Sequence, residues 1–427
     1  MLSLVLGAAI AASPTADLSK IQWMHDDAPG AFAKAKKAKQ LVAVDVWGTW
    51  CHTCLMMQNF ALKERPMAKV ANKLVFLAME YESDKNTDFF AKFPINAFPT
   101  FLVIDPKTEK VVARWVGSGT SEQMAEFFAT ADPSDDRPSV RAQRLIAKRS
   151  YAEAIEILEG ALAKASATER NALYPPYIEA LWKHDTKACA TKGAEHLDRF
   201  DDRTAAGIDS MLLLSYCATA LEDPKPLYGR LAKRLATVAA KPPKSLEADE
   251  VAGVMLGLAD VYDALGEKKN GDAAAKRAAT VLEQAAKRAP SIAVRTTYDY
   301  HRLLAYVRLG RHAEALKMLT ASEKAQPDDF NHPHRIAYLY LELGKTKEGL
   351  AAIDRALKIG YGGRRLRLHA TKIDLLLKAN RLTEAQAQVD AAKKELASMN
   401  PANTRQGWID MLEARAKKVE AQLKSRG

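Results

Sequence analysis

The sequence predicts an α/β domain followed by an all-α domain built from helical repeats. Short apolar runs of strand type alternate with helical stretches up to about residue 135. Beyond residue 140 the strand signals end, and stretches rich in Ala, Leu, Glu and Lys take over. A short motif then recurs in this second region at a spacing of 34 residues. At 427 residues the chain is also too long for one hydrophobic core.

Four short apolar runs in the first region are the candidate strands. Each is bounded by turn or helix signals, as the buried strands of a mixed sheet are. The runs cover residues 41–46, 74–79, 100–104 and 111–116. Residues 105–110, Asp-Pro-Lys-Thr-Glu-Lys, separate the last two runs in the manner of a hairpin turn.

Helical stretches lie between and after these strands. One covers residues 31–39. Thr120 and Gln123 form a capping-box pattern, which predicts the start of a closing helix. We therefore place the α/β domain at residues 17–131. The polar segment 132–139, which contains two prolines, is the predicted linker.

The recurring motif of the second region is Leu-Gly, ending at Gly310 and again at Gly344. Each copy has a tyrosine four residues before the glycine and a small residue five residues after it, and looser copies surround Gly266 and Asn380. This pattern resembles tetratricopeptide repeats (TPR), which implies that residues 140–427 form a TPR-like solenoid of helix pairs. A final amphipathic helix is marked by spaced apolar residues: Trp408, Met411, Leu412, Ala416, Val419 and Leu423.

The pattern of residues 1–16 predicts an export signal. An apolar stretch is followed by small residues, with Ala9-Ile10-Ala11 as one cleavage site. The basic start that is typical of such signals is missing, since no Lys or Arg precedes Lys20. A frayed apolar tail and an N-terminal membrane anchor are the alternatives. We expect an exported protein, periplasmic or otherwise extracytoplasmic, with no membrane span in the mature chain.

The net charge of +11 is compatible with binding to nucleic acid or to an anionic membrane surface. Most basic residues, however, are scattered along helical stretches, as on solvated helix faces. The densest clusters, residues 34–39 and 364–367, lack interleaved aromatic residues on which bases could stack. We therefore expect no nucleic-acid partner.

The strongest chemical signal is the segment Trp47-Gly48-Thr49-Trp50-Cys51-His52-Thr53-Cys54. It follows a predicted strand and opens a predicted helix, whose N-terminal N–H groups and dipole favour a thiolate. Two intervening residues place Cys54 one turn into the helix, within reach of Cys51. Thiol–disulfide exchange requires this arrangement, because one thiolate attacks and the other resolves the mixed disulfide.

This segment closely resembles the active site of thioredoxins. Trp50 matches the family's tryptophan before the first cysteine, Asp45 matches its buried acid, and Pro99 matches its cis-proline. The resemblance implies that Cys51 is the nucleophile, Cys54 the resolving thiol and Asp45 the acceptor of the Cys54 proton. Burial in an apolar strand would raise the pKa of Asp45, so that it exchanges protons near neutral pH.

The resemblance also implies a substrate-docking edge. A cis bond before Pro99 would turn the Phe98 backbone towards the sulfurs, where it can pair with an extended substrate peptide. Trp50 is assigned to the same edge, with a packing role as its alternative. The dipeptide His52-Thr53 departs from the Gly-Pro of thioredoxin. A protonated His52 can stabilise a thiolate and raise the reduction potential, so we assign it as a modulator of the site.

Alternatives stay open for several other residues. No metal site is expected, because no second Cys-x-x-Cys or paired His follows at ligand spacing, and Leu55 excludes a haem-attachment motif. The repeat-region histidines, His301 among them, are expected to be surface or packing residues. A merely structural role is the alternative for Asp45. Cys189 and Cys217 form either a structural disulfide or two buried free thiols.

The sequence thus predicts an exported thiol–disulfide oxidoreductase that uses the redox-active Cys51–Cys54 pair and no other cofactor. Its expected partners are protein thiols and disulfides, a redox partner that supplies or accepts electrons, and a protein bound on the repeat surface. Reduction of clients is slightly favoured over oxidation, because the site resembles those of exported reductases. The alternative function is a protein-interaction scaffold in which the repeats carry the function and the thioredoxin fold is accessory.

Overall fold

The structure is a computed structural model that describes residues 17–95, 97–132, 136–399 and 404–425. The predicted export signal, residues 1–16, lies outside the described residues, as does the middle of the predicted linker. Among the helices that are described, none has both the length and the apolar composition needed to cross a membrane.

A five-stranded mixed sheet forms the centre of the first domain. Its strands are β1 (Trp23–His25), β2 (Leu41–Trp47), β3 (Leu74–Glu80), β4 (Thr100–Asp105) and β5 (Lys110–Val116). They are ordered β1-β3-β2-β4-β5, with β1 and β2 parallel to β3 and with β4 antiparallel to both of its neighbours. Strands β2 to β5 confirm the four predicted runs to within one residue. Strand β1 was not predicted, because three residues are too few to show a strand periodicity.

Four helices cover the two faces of this sheet. They are α1 (Ala28–Ala38), α2 (His52–Asn59), α3 (Thr87–Lys92) and α4 (Ser121–Ala129). The predicted capping box of Thr120 and Gln123 is confirmed at the start of α4. Buried residues of α2 and α4 pack on the sheet face that carries Ala43. Because side chains alternate along a strand, Asp45 points to that same face, under α2.

Within the described part of the chain, sixteen α-helices follow. They are α5 (Pro138–Ala147), α6 (Tyr151–Leu162), α7 (Ala167–His184), α8 (Thr186–His196), α9 (Ala205–Cys217), α10 (Lys225–Ala240), α11 (Ala248–Ala264), α12 (Lys268–Arg288), α13 (Ile292–Thr297), α14 (Asp299–Arg308), α15 (His312–Ala325), α16 (Asn331–Glu342), α17 (Thr346–Ile359), α18 (Arg365–Lys378), α19 (Leu382–Ser398) and α20 (Gln406–Lys424). Helix α5 takes up the last two residues of the predicted linker, because Pro138 suits the first turn of a helix.

The backbone confirms the predicted repeat frame. Gly266, Gly310, Gly344 and Asn380 have φ angles of 79°, 69°, 71° and 60°, and each follows the first helix of a pair. Glycine and asparagine adopt this left-handed conformation most readily, which explains their recurrence at helix ends. The small residue five positions after the motif is fully buried in the second helix, as Ala315 shows. The second region is therefore a TPR-like array of helix pairs.

The helical region also contacts the first domain. Arg144 of α5 donates to the carbonyl oxygen of Val112 over 2.8 Å. Arg114 of β5 lies 3.9 Å from a carboxylate oxygen of Glu179 on α7. Further along the chain, α13 packs against α2. The helical region therefore reaches the end of the first domain at which α2 begins.

Candidate active site

The two cysteines meet at the N-terminus of α2. Cys51 is the N-cap residue, and its Sγ accepts the backbone N–H of Cys54 over 3.1 Å. The two sulfurs form a disulfide with an S–S distance of 2.08 Å. Only 6% of Cys51 is exposed, and Cys54 is fully buried. The Cys51 sulfur therefore lies where a helix N–H group stabilises a thiolate after reduction.

Asp45 lies beneath α2 on strand β2. One of its oxygens, Oδ2, accepts a hydrogen bond from Nε2 of Gln58 over 2.7 Å. The other, Oδ1, has no hydrogen-bond partner among the residues that the structure describes. Burial raises the pKa of Asp45 to about 7, and the Gln58 hydrogen bond opposes this rise. Asp45 can thus take up or release a proton near neutral pH, as the resemblance to thioredoxins implied.

The peptide bond between Phe98 and Pro99 is cis. Pairing of Val46 with Thr100 aligns the start of β4 with the end of β2, from which the chain runs on to α2. The ring of Phe98 lies 4.9 Å from that of Trp50, centroid to centroid. The structure therefore brings Trp50, Phe98 and Pro99 together next to Cys51.

This edge, however, is covered by the protein's own helical region. The guanidinium of Arg364 lies 4.2 Å from the Trp50 ring centroid, and the ring of Trp408 lies 6.3 Å from it. The guanidinium of Arg405 lies 5.3 Å from the ring of Phe98. Trp50 and Phe98, which we expected to contact substrate, thus contact other parts of the same chain.

Glu82 connects the two domains at this point. Its Oε1 accepts the indole N–H of Trp50, and its Oε2 accepts the backbone N–H of Arg364, each over 3.0 Å. Only 1% of Glu82 is exposed, and burial raises the pKa of its carboxyl to about 7. Gly362 permits the contact, because a Cβ at that position would lie 2.3 Å from Oε2 of Glu82.

His52 also faces the helical region. Its ring stacks on Tyr300 with 4.9 Å between centroids, and its Nε2 lies 3.4 Å from Oδ2 of Asp249. Nδ1 of His301 lies 2.8 Å from Oδ1 of the same carboxylate. Burial lowers the pKa of His52 to about 4, although Asp249 opposes this shift. A protonated His52, the form that could stabilise a thiolate, is therefore disfavoured at neutral pH, because most of the ring is buried between the two domains.

A cavity of about 670 Å³ opens beside this histidine. Its lining includes both residues between the cysteines, His52 and Thr53, together with Asp249, Glu250 and His301 of the helical region. The cavity therefore approaches the dithiol from the interface between the two domains.

The other two cysteines are also joined. Cys189 of α8 and Cys217 of α9 form a disulfide with an S–S distance of 2.11 Å. Both residues are fully buried. Of the two alternatives left by the sequence, the structure has the cross-link between neighbouring helices.

Several residues of this site were not predicted. Gln58 lies four positions after Cys54, so helical periodicity alone could have placed it next to the resolving cysteine. Glu82 follows a buried strand, and a carboxylate next to apolar sequence could have indicated a buried acid with specific partners. Asp249 and Trp408 gave no such signal, since only the path of the helical region brings them to the dithiol. His301, expected at the surface or in repeat packing, lies in the domain interface instead.

Comparison with known proteins agrees with this geometry for the first domain. Residues 26–130 match the family model "Thioredoxin". No curated protein matches this chain.

Among solved structures, the chain is similar to a tetratricopeptide repeat protein from Parabacteroides merdae. The two share 13% identity with a TM-score of 0.44, and the match covers 67% of this chain and 98% of that one. It is also similar to the TPR2AB-domain:pHSP90-complex of yeast Sti1, at 13% identity and a TM-score of 0.26, covering 67% of this chain and 98% of that one. Because both TM-scores are low, the assignment of repeats depends on the helix pairs of this chain itself. Residues 26–130 form a thioredoxin domain, and a TPR-like helical-repeat region follows it in the same chain.

Proposed function

We propose that this protein is an exported oxidoreductase that exchanges disulfides with protein clients, with reduction of the client as the favoured direction. The observation that carries the proposal is the Cys51–Cys54 disulfide at the N-terminus of α2, above the buried Asp45. The disulfide between Cys189 and Cys217 supports export, because such cross-links persist mainly in oxidising compartments.

The reducing cycle starts from the dithiol. The Cys51 thiolate attacks one sulfur of the client disulfide, forms a mixed disulfide and releases the first client thiolate. The Asp45 carboxylate accepts the proton of Cys54, whose thiolate then attacks the Cys51 sulfur and releases the second client sulfur. The product is the Cys51–Cys54 disulfide present in the structure. A donor dithiol must then return two electrons and two protons.

The covered docking edge restricts which substrates reach Cys51. A folded client cannot contact Trp50 and Phe98 while Arg364 and Trp408 lie against them. The client enters either after the helical region moves away or as a narrow segment through the cavity next to His52. The helical region, in this proposal, controls entry as well as recruiting the client.

Turnover of two disulfides of different size tests the proposal with the full chain. Cys51→Ser should abolish reduction of both insulin and glutathione disulfide, and Cys54→Ser should accumulate a mixed disulfide with the client. Full activity in Cys51→Ser would refute thiol exchange. If entry is through the cavity alone, glutathione disulfide should be reduced and folded insulin should not.

The reduction potential of the Cys51–Cys54 pair tests the direction. A value near −270 mV, as in thioredoxin, supports a reductase, whereas one near −120 mV indicates an oxidase. The measurement is an equilibrium titration of the full chain against glutathione or dithiothreitol buffers.

A second candidate function is an interaction scaffold, and the covered dithiol favours it. With only 6% of Cys51 exposed, the burial of the dithiol supports a structural role for the thioredoxin domain beside the repeats. A variant that combines Cys51→Ser with Cys54→Ser separates the two functions. Partner capture by this variant at the wild-type level would support the scaffold, and loss of capture would support the enzyme.

A further inference from the structure

Three side chains at the domain interface have no part in the thiol chemistry proposed above. His52 lies on α2 of the thioredoxin domain, Asp249 on α11 and His301 on α14. One nitrogen or oxygen atom from each lies within 4.8 Å of the corresponding atoms of the other two. We propose that His52, Asp249 and His301 form a binding site for a divalent transition-metal ion of the Zn²⁺ class.

The distances between these atoms suit a shared ion. Nε2 of His52 lies 3.4 Å from one carboxylate oxygen of Asp249, and Nδ1 of His301 lies 2.8 Å from the other. Two ligands bound to Zn²⁺ at about 2.0–2.1 Å in tetrahedral geometry lie roughly 3.3 Å apart. Small side-chain rotations therefore suffice to direct all three groups at one point. The ion displaces the hydrogen between His301 and Asp249. A neutral His301 then carries that hydrogen on Nε2, whereas a protonated His301 releases one proton to solvent.

The ligand types favour a transition metal over Ca²⁺ or Mg²⁺. Two imidazoles and one carboxylate bind Zn²⁺ and Fe²⁺ in many proteins, whereas the hard cations prefer all-oxygen sites. Three protein ligands leave at least one coordination position open. The cavity of about 670 Å³ next to the cluster provides room there for water or an external ligand.

The surrounding charges both oppose and support an ion. Arg335 acts electrostatically on all three side chains and disfavours a cation. Asp249 has only 3% of its side chain exposed, so its negative charge is costly to bury without a positive partner. Asp209 and Glu250 line the same cavity, but burial raises the pKa of Asp209 to about 7 and also raises the pKa of Glu250, so neither is counted here as a negative charge that supports the ion. The buried Asp249 carboxylate between the His52 and His301 imidazoles is therefore the feature that favours a divalent ion, against the opposing charge of Arg335.

The proposed metal site lies between the two domains, next to the dithiol. One ligand belongs to the thioredoxin domain and two belong to the helical region. An ion bound by all three therefore ties the helical region to the residue that follows Cys51. Metal binding is expected to slow separation of the two domains.

Titration of the untagged full chain with Co²⁺ and Zn²⁺ tests the site. The chain is kept oxidised, so that the cysteine sulfurs cannot act as ligands, and residual metal is first removed with a chelator. Co²⁺ absorption bands and calorimetry should show one ion per chain. His52→Ala, Asp249→Asn and His301→Ala should each weaken binding by roughly 10- to 100-fold or more. Asp209→Asn, which changes another carboxyl of the same cavity, and His312→Ala are the matched controls and should bind as the wild type does.

Of the three ligand variants, His52→Ala is the one expected to keep its fold. The His52 side chain is 21% exposed, and the substitution lies outside the repeats. Hydrogen exchange of residues 292–308 should slow on addition of Zn²⁺ in the wild type and not in this variant. Absence of stoichiometric binding, or equal binding by the wild type and His52→Ala, would overturn the proposal.

Discussion

Trp50 donates its indole N–H to Oε1 of Glu82 over 3.0 Å, which links the tryptophan before the first cysteine to a carboxylate 32 residues later. The second oxygen of that carboxylate accepts the backbone N–H of Arg364 from the helical region. One buried side chain therefore holds both the active-site tryptophan and the segment that covers it. This pairing makes access to Cys51 dependent on contacts far along the chain.

Gly362→Ala should uncover the dithiol. The added Cβ would lie 2.3 Å from Oε2 of Glu82, so the segment that includes Arg364 must shift away from Trp50. We expect reduced Cys51 to react with a maleimide several-fold faster than in the wild type. Stopped-flow labelling of the full chain, followed by mass spectrometry, measures the rate.

The matched control is Gly310→Ala. Gly310 also has a positive φ, but an added Cβ there meets no atom within 4 Å. Labelling in this control should therefore stay at the wild-type rate, even if its helix end is destabilised. Equal rates in Gly362→Ala and the wild type would show that the Glu82 contact does not limit access.

Asp45→Asn should stabilise the protein at alkaline pH while slowing disulfide exchange. Burial raises the pKa of Asp45 from 3.8 to about 7, so the folded state binds its proton more tightly than the unfolded chain does. Folding stability from this group is thus highest below about pH 4 and falls as pH rises to about 7. A pKa shift of three units corresponds to a loss of up to about 4 kcal/mol in the free energy of unfolding once Asp45 is ionised. The uncharged amide of Asp45→Asn avoids this loss at pH 8, whereas at pH 4 there is no loss to avoid.

Denaturant unfolding of both proteins at pH 4 and pH 8 measures this difference. If Asp45→Asn raises the free energy of unfolding by the same amount at both pH values, the assigned pKa is contradicted. The exchange rate of the variant should also lose its dependence on pH near 7, because the proton acceptor of Cys54 is gone.

Gln58→Ala should move the pH dependence of exchange upward. Its hydrogen bond to Oδ2 lowers the pKa of Asp45, so removal of the amide leaves desolvation unopposed. The midpoint of the pH–rate profile should rise above that of the wild type. Asn59→Ala is the control, since the Asn59 side chain donates to the carbonyl oxygen of Leu55. A midpoint that falls in Gln58→Ala would be inconsistent with this geometry.

Loss of the second disulfide should weaken the helical region without affecting the chemistry. Cys189 and Cys217 are separated by 28 positions, and closing a loop of that length contributes about 3–4 kcal/mol in the chain-entropy model. A variant with Cys189→Ala and Cys217→Ala should unfold at lower denaturant concentration under oxidising conditions. In a reducing buffer it should match the wild type, and a difference that persists there would point to lost packing instead.

Much of the first domain was predictable because its signals are local. Strands β2 to β5 are recognisable in the sequence as apolar runs between turns, and the Thr120–Gln123 capping box marks the start of α4. The dithiol needs only the spacing of Cys51 and Cys54 at a strand-to-helix junction. These features depend on residues a few positions apart, so periodicity and turn chemistry suffice to find them.

The tertiary structure alone decided what surrounds the dithiol. Asp249, His301, Arg364 and Trp408 lie about 200 to 360 positions after Cys51, and nothing in their neighbouring sequence marks them as parts of its environment. The protonation state of His52 could not be read from the sequence for the same reason, because the burial that lowers its pKa depends on helices α11 and α14. Sequence determines which groups can do chemistry, whereas burial, access and charge arise from how the helical region folds back over them.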